Sequence, residues 1–360
     1  MARQRGTVLR AIVALGFLVP AACTGGGSST PSTPTTGTPP GVVTTDAILT
    51  PEAFAMDAGG RILFSDCAAQ RVFRLGADDQ VEVVAGSGPA GFDAGGFAGD
   101  GGPATQARLS CPGGIAVDRA GNVFVADTLN NRVRKIDTGG VITTYAGSGE
   151  TGPDTGDGGP AGGATLDAPY GLAFDADENL YVTDPGNDVI RKIDPGGAIS
   201  TVAGTGRAGF SGDGGPATGA ELHTPWSIVF DRAGDLYFTD KGNGRVRMID
   251  TGGTISTIAG DGVGNALIPD PYGLAIDSDG RLLVSDDVRA VVRRIDGDAV
   301  TTIAGTRAVG TRPPLSAPSG LFMDPSGNLY VADAGNSCVR VIDPGGTITS
   351  AVCGERPAAP

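Results

Sequence analysis

The sequence predicts an all-β fold, a six-bladed β-propeller of four-stranded antiparallel blades. Three observations predict it: a segment of about 40 residues recurs six times, each copy holds four short apolar runs, and Gly and Pro punctuate those runs. The clearest copies are 109–149, 166–206 and 222–262; shorter ones follow at 268–306 and 315–354, and a weaker one opens the series at 48–88. In the second copy the runs are Gly114–Val117, Val123–Ala126, Val133–Ile136 and Val141–Ala146, with Asp-Arg-Ala-Gly, Thr-Leu-Asn-Asn and Asp-Thr-Gly-Gly between them. One sheet of four short strands cannot bury both of its faces; stacked radially, six such sheets bury them against each other. The 61 glycines and 25 prolines suit the many tight turns, since Gly supplies positive φ and Pro presets φ.

The first 22 residues read as an export signal. Arg3, Arg5 and Arg10 form a basic start, and Ala11 to Pro20 is an apolar run too short to span a bilayer. Ala21-Ala22-Cys23 resembles a bacterial lipoprotein cleavage site, with Cys23 as the lipidated residue and Pro20 where such sites usually carry Leu. The chain is therefore expected to be exported and held to the membrane through that lipid alone, the alternative being plain secretion. Residues 23–45 are uncharged and rich in Gly, Ser, Thr and Pro, the composition of a disordered tether. The propeller is expected over 46–355, with a short tail at 356–360. Loss of the three N-terminal arginines would take the formal charge from −14 to −17, a field that repels phosphate backbones and argues against nucleic acid as a partner.

Within each copy the pattern runs P-x-G-[IL]-A-x-D, then G-x-[LV]-[YF]-V-x-D, then N-x-x-[VI]-R-x-I-D. This pattern is similar to NHL repeats and covers about 310 of the 360 residues. The resemblance implies the six-bladed fold but no single function, because related propellers include receptor sensor domains, RNA- or protein-binding scaffolds and lyases.

Most of the repeated polar residues read as scaffold. Asp66, Asp127, Asp184, Asp240, Asp286 and Asp333 end the second run of each copy, and Arg134, Arg191, Arg247, Arg293 and Arg340 follow seven residues after the last five of them. A pairing repeated blade after blade is expected to fasten turns or form ion pairs. Asn130, Asn187, Asn243 and Asn336, three residues after the Asp, fit an Asx-type turn. The inserted loops with Asp100, Asp157 and Asp213, each followed by Gly-Gly-Pro-Ala, carry one carboxylate apiece, too few for calcium. Their Pro is expected to open a short helical turn. The six strand-two aspartates are spaced 61, 57, 56, 46 and 47 residues apart, so the rim is expected to be lower beside blades four to six.

Strand direction puts the start of strand one, the end of strand two, the start of strand three and the end of strand four on one face, together with the insertions. The residue after each strand-opening Pro is expected to ring the channel mouth there: Glu52, Gly113, Tyr170, Trp226, Tyr272 and Ser319. A scaffold position would repeat one residue type, and this one does not. Tyr170, Trp226 and Tyr272 suggest an aromatic arc for a sugar, a peptide or a flat ligand, the other reading being a plug that packs the channel. His223, Lys241 and Asp287 are expected at the same opening. The partner implied is an unidentified protein, peptide or glycan, with the chain a monomer and no cofactor required.

Catalysis is the weaker reading. A zinc site needs several His, and His223 is the only one; no G-x-S-x-G motif is present. The alternative is a lactonase- or lyase-like hydrolase that binds a divalent cation such as calcium, for which Glu52 resembles the Glu of sugar-lactonase propellers.

In an exporting compartment disulfides persist. If Gly345-Gly346 forms a two-residue turn, Cys338 and Cys353 face each other across strands three and four of blade six, which leaves Cys67 for Cys111.

Overall fold

The computed structural model describes residues 42–43, 48–76, 80–153, 155–260, 268–305 and 315–354. Six antiparallel sheets, each with its four repeat strands in chain order, stand around one axis. In blade two the strands are Pro112–Val117, Val123–Asp127, Arg132–Ile136 and Ile142–Ala146, within two residues of the apolar runs. The only helices among the described residues are single 3-10 turns, none able to cross a membrane. Blade one gains an outer strand, Val42–Val43, which pairs with Val81–Ala85 from within the segment read as a tether. Cys23 lies outside the described residues.

The P-x-G pattern is explained at the axis. A Cβ on Gly114, Gly171, Gly273 or Gly320 would stand 2.2, 2.4, 2.3 or 2.1 Å from a carbonyl oxygen of the next blade, respectively Tyr170, Trp226, Ser319 and Glu52. Blades one and four carry Ala53 and Ser227 at this position. Hydroxyls stitch the same strands together. Ser65, Thr183, Thr239 and Ser285 donate to the carbonyls of Gly113, Trp226, Tyr272 and Ser319 on the following blade, at 2.5–3.1 Å. Ser319 Oγ donates to Pro51 O at 2.9 Å and joins blade six to blade one.

The strand-two aspartates are buried fasteners, as expected. Asp127 accepts from Ser110 N, Asn130 Nδ2 and Arg134, and Asp240 from His223 N, Asn243 Nδ2 and Arg247. The Asx-turn expectation for the asparagines is corrected: they donate through their amides, because a fully buried carboxylate needs donors. The insertions add a second clamp. Asp100, Asp157 and Asp213 each bind the strand-three arginine of the next blade, Arg134, Arg191 and Arg247, and all three guanidinium groups are fully buried. As expected, Pro103, Pro160 and Pro216 precede the 3-10 turns Ala104–Gln106, Ala161–Gly163 and Ala217–Gly219.

The position of these loops differs from the expectation that they would stand on the face of the mouth. They lie along the outer strand of the following blade, where Gly101 N donates to Ile142 O and Ile142 N to Gly102 O, with the same exchange at Ile199 and Ile255. They thereby cover edges that would otherwise present unpaired backbone. The segments that would set a lower rim beside the later blades, 261–267 and 306–314, lie outside the described residues.

Both disulfides are formed, Cys67–Cys111 and Cys338–Cys353. The second pair meets by a different route from the two-residue turn. Ile342 pairs with Ile348 around a longer turn, and a bulge between Val339 and Arg340 then shifts the register by one, so that Cys338 pairs with Cys353.

Replacing Gly114 by Ala is expected to destabilise the fold by about 2 kcal/mol or more, because the clash is with backbone. The control is Gly162→Ala, at a position with nothing within 4 Å, which should be near neutral. Urea midpoints of the two variants check this.

Candidate functional site

Of the six residues that follow the strand-opening prolines, Glu52, Tyr170, Trp226 and Tyr272 gather at the axis, and they close it. Tyr170, Trp226 and Tyr272 form one cluster and are 6 %, 3 % and 5 % exposed, so the expectation of open rings at a mouth is corrected. Tyr170 stacks on Trp226 with centroids 4.1 Å apart, and Tyr272 meets both edge-on at 6.0 and 5.5 Å. Room for the Tyr170 ring comes from Gly113, where a Cβ would stand 2.8 Å from it. The innermost strands approach so closely that three large rings fill the axis rather than fringe it.

Glu52 completes the arc. Tyr170 Oη and Tyr272 Oη both lie within hydrogen-bond distance of Glu52 Oε2, at 2.7 and 2.9 Å, and 3.2 Å from each other. Glu52 Oε1 and Trp226 Nε1 are buried without a hydrogen-bond partner among the described residues. Burial pushes the Glu52 carboxyl up to about 8 against the two tyrosine hydrogen bonds, with Asp66 and Asp287 adding to the rise. Burial and the adjacent Glu52 together hold both tyrosine hydroxyls well above their ordinary range.

Beneath the arc lies a cavity of about 540 Å³ along the axis. Its wall is the innermost strands, and Glu52, Tyr170 and Tyr272 line its closed end. Met56, Val117, Phe174, Phe230, Ile276 and Met323 end the six first strands, line the cavity and are all half-buried. They form an apolar rim on the face opposite the one predicted for the mouth. From Glu52 to Met56 the channel runs four residues, ~13 Å at strand rise.

The remaining predicted residues sit on the other side of the arc. Lys241 Nζ bonds to Asp270 at 2.6 Å and stands over the faces of Tyr272 and Trp226, 4.7 and 6.0 Å from their centroids. Burial pushes the Asp287 carboxyl up to about 6; Lys241 opposes the rise, and Asp270 and Asp286 add to it. His223 is not brought into the arc: its backbone N–H donates to Asp240, and its ring packs on Gly242. Sequence reasoning missed the apolar channel and the Glu52–Tyr170–Tyr272 contact. The second was visible only as polar groups at one repeat position in blades one, three and five.

The Teneurin NHL domain family model matches residues 53–154, and that of the SMP-30/gluconolactonase/LRE-like region matches residues 224–358. Teneurin-3 of Danio rerio is 31 % identical over 271 residues, covering 63 % of this chain. The chain spans about a tenth of the length of that relative. Among solved structures, a virginiamycin B lyase from Staphylococcus aureus, determined with quinupristin, superposes with a TM-score of 0.54 at 14 % identity, covering 85 % of each chain. A chain of a nidogen/laminin complex superposes with a TM-score of 0.54 at 18 % identity, covering 83 % of this chain and 92 % of that one. With the six four-stranded blades, these matches support an NHL-type β-propeller. The solved neighbours show the fold alone; one is an enzyme and the other part of an assembly.

Glu52 has a raised carboxyl pKa, so the folded state holds a proton that the unfolded chain has released between about 4.5 and 8. Stability is therefore lost as pH rises through that window, by a few kcal/mol, and levels off above it. Glu52→Gln removes this dependence. Denaturation at pH 5 and pH 9 should show the variant gaining on the parent at pH 9; an equal difference at both pH values would contradict the assignment.

Proposed function

We propose that this chain is an exported, lipid-anchored binding module of the NHL-propeller type that takes a small, largely apolar ligand into its central channel through the apolar rim. The observation that supports it is the channel itself: about 540 Å³, apolar along its wall, with a few convergent polar groups at its closed end. That size and that distribution of polarity are those of small-molecule sites. Export is supported by the basic and apolar start, by Cys23 and by two disulfides. The arc serves as the floor of the site, and a protein, peptide or glycan held on outward-facing rings is a weaker reading once those rings are buried.

A hydrolase dependent on a divalent cation fits the residues poorly. Among the described residues Glu52 is the one carboxylate lining the channel, and its Oε2 is already engaged by two tyrosine hydroxyls. No group of three His, Cys, Asp or Glu stands close enough to hold a metal among the described residues.

Trp226 is the only tryptophan in the chain and packs on the channel floor, so its fluorescence reports on the site. Titration with short alkyl and phenyl alcohols should change its emission saturably. Val117→Arg, which sets a charge on the rim, should weaken that binding about tenfold or more. No saturable change with any alcohol, or full affinity in Val117→Arg, would sink the channel reading.

A further inference from the structure

The chemistry of the channel floor narrows the ligand. Glu52 Oε2, Tyr170 Oη and Tyr272 Oη form a triangle with sides of 2.7, 2.9 and 3.2 Å. With Glu52 neutral, one arrangement satisfies all three sides: Tyr170 donates to Tyr272, Tyr272 to Oε2, and a proton on Oε2 to Tyr170. With Glu52 ionised, both hydroxyls donate to Oε2. In that arrangement, and whenever Glu52 is ionised, Oε1 is left as an acceptor, and it is buried with no hydrogen-bond partner among the described residues. Such an atom is unfavourable until a donor reaches it. A ligand that satisfies it must therefore bring an N–H or O–H.

Charge chooses between these. The groups acting on Glu52 are the carboxylates of Asp66 and Asp287 and the hydroxyls of Tyr170 and Tyr272. Both carboxylates make the site favourable to positive charge. The nearby cation, Lys241, is held by Asp270 over the Tyr272 and Trp226 faces and does not line the channel. The remaining wall is apolar, so the body of the ligand must be apolar too.

We infer that the channel binds a cationic primary amine carried on an apolar body, its ammonium group meeting the Glu52 carboxyl at the floor. This rests on the channel being the binding site. Entry of the ammonium ionises Glu52, and the released proton leaves to solvent, so binding strengthens as pH rises toward the pKa of the carboxyl.

The test compares 2-phenylethylamine with 2-phenylethanol, which share a body and differ in the tip. Binding to the intact protein is followed by Trp226 emission and calorimetry at pH 6 and pH 8.5. The amine should bind about tenfold or more tighter at pH 8.5 than at pH 6, and the alcohol equally at both. Glu52→Gln should abolish the preference for the amine and its pH trend, since the amide cannot ionise. If the alcohol binds and the amine binds no better and without a pH trend, the inference is overturned and the channel reading stands. If neither binds, both fall. The comparison on the parent protein alone decides the matter should the Gln variant fail to fold.

Discussion

The structure depends on one constraint: six innermost strands must meet around one axis, and in four of the blades they meet too closely for a Cβ between them. Gly114, Gly171, Gly273 and Gly320 satisfy it by presenting a bare Cα to the next blade's carbonyl. The hydroxyls of Ser65, Thr183, Thr239 and Ser285 reach carbonyls of the same row, those of Gly113, Trp226, Tyr272 and Ser319, from the second strands. The residue before the glycine position is Glu52, Tyr170, Trp226 or Tyr272 in four of the blades, and those side chains meet at the axis. Whatever occupies that position decides whether the axis is open, plugged or chemically active. Here it holds three aromatic rings and one carboxyl at one end and leaves a channel at the other.

The outer parts of the molecule serve that inner ring. Strand-two aspartates such as Asp127, Asp240 and Asp333 gather backbone and side-chain donors at the end of the strand, fixing where the next strand begins. Insertions in three blades carry a second carboxylate to a fully buried arginine, so Arg134 and Arg247 each lie between two acids. Breaking such a buried pair leaves an uncompensated charge and is strongly destabilising. The same loops cover the outer strands of blades two to four. Rigidity at the rim of the disc and close approach at its centre are thus two results of one repeated pattern.

Much of the fold was legible because the repeat fixes period, strand direction and turn chemistry together. The blade order, the scaffold role of Asp127 and its counterparts, and both cysteine pairs follow from it. Yet Cys338 meets Cys353 through a bulge that offsets a longer turn, and a bulge leaves little trace in the residue pattern. The candidate site was legible in position but not in state. Strand direction gathers Glu52, Tyr170, Trp226 and Tyr272, whereas their burial depends on the width of the axis, which no local pattern states. The contact between Asp100 and Arg134 spans 34 residues and two blades, and nothing at either residue names the other.

The central claim is that this axis holds a neutral, buried carboxyl with one oxygen unsatisfied. Its most direct measurement is a pH titration of the Glu52 carboxyl carbon by NMR, assigned by its absence in Glu52→Gln. A midpoint near 8 would agree with the burial and the tyrosine contacts described here. A midpoint near 4.5, the ordinary value for glutamate, would mean that water reaches the carboxyl and that the floor of the channel is not closed.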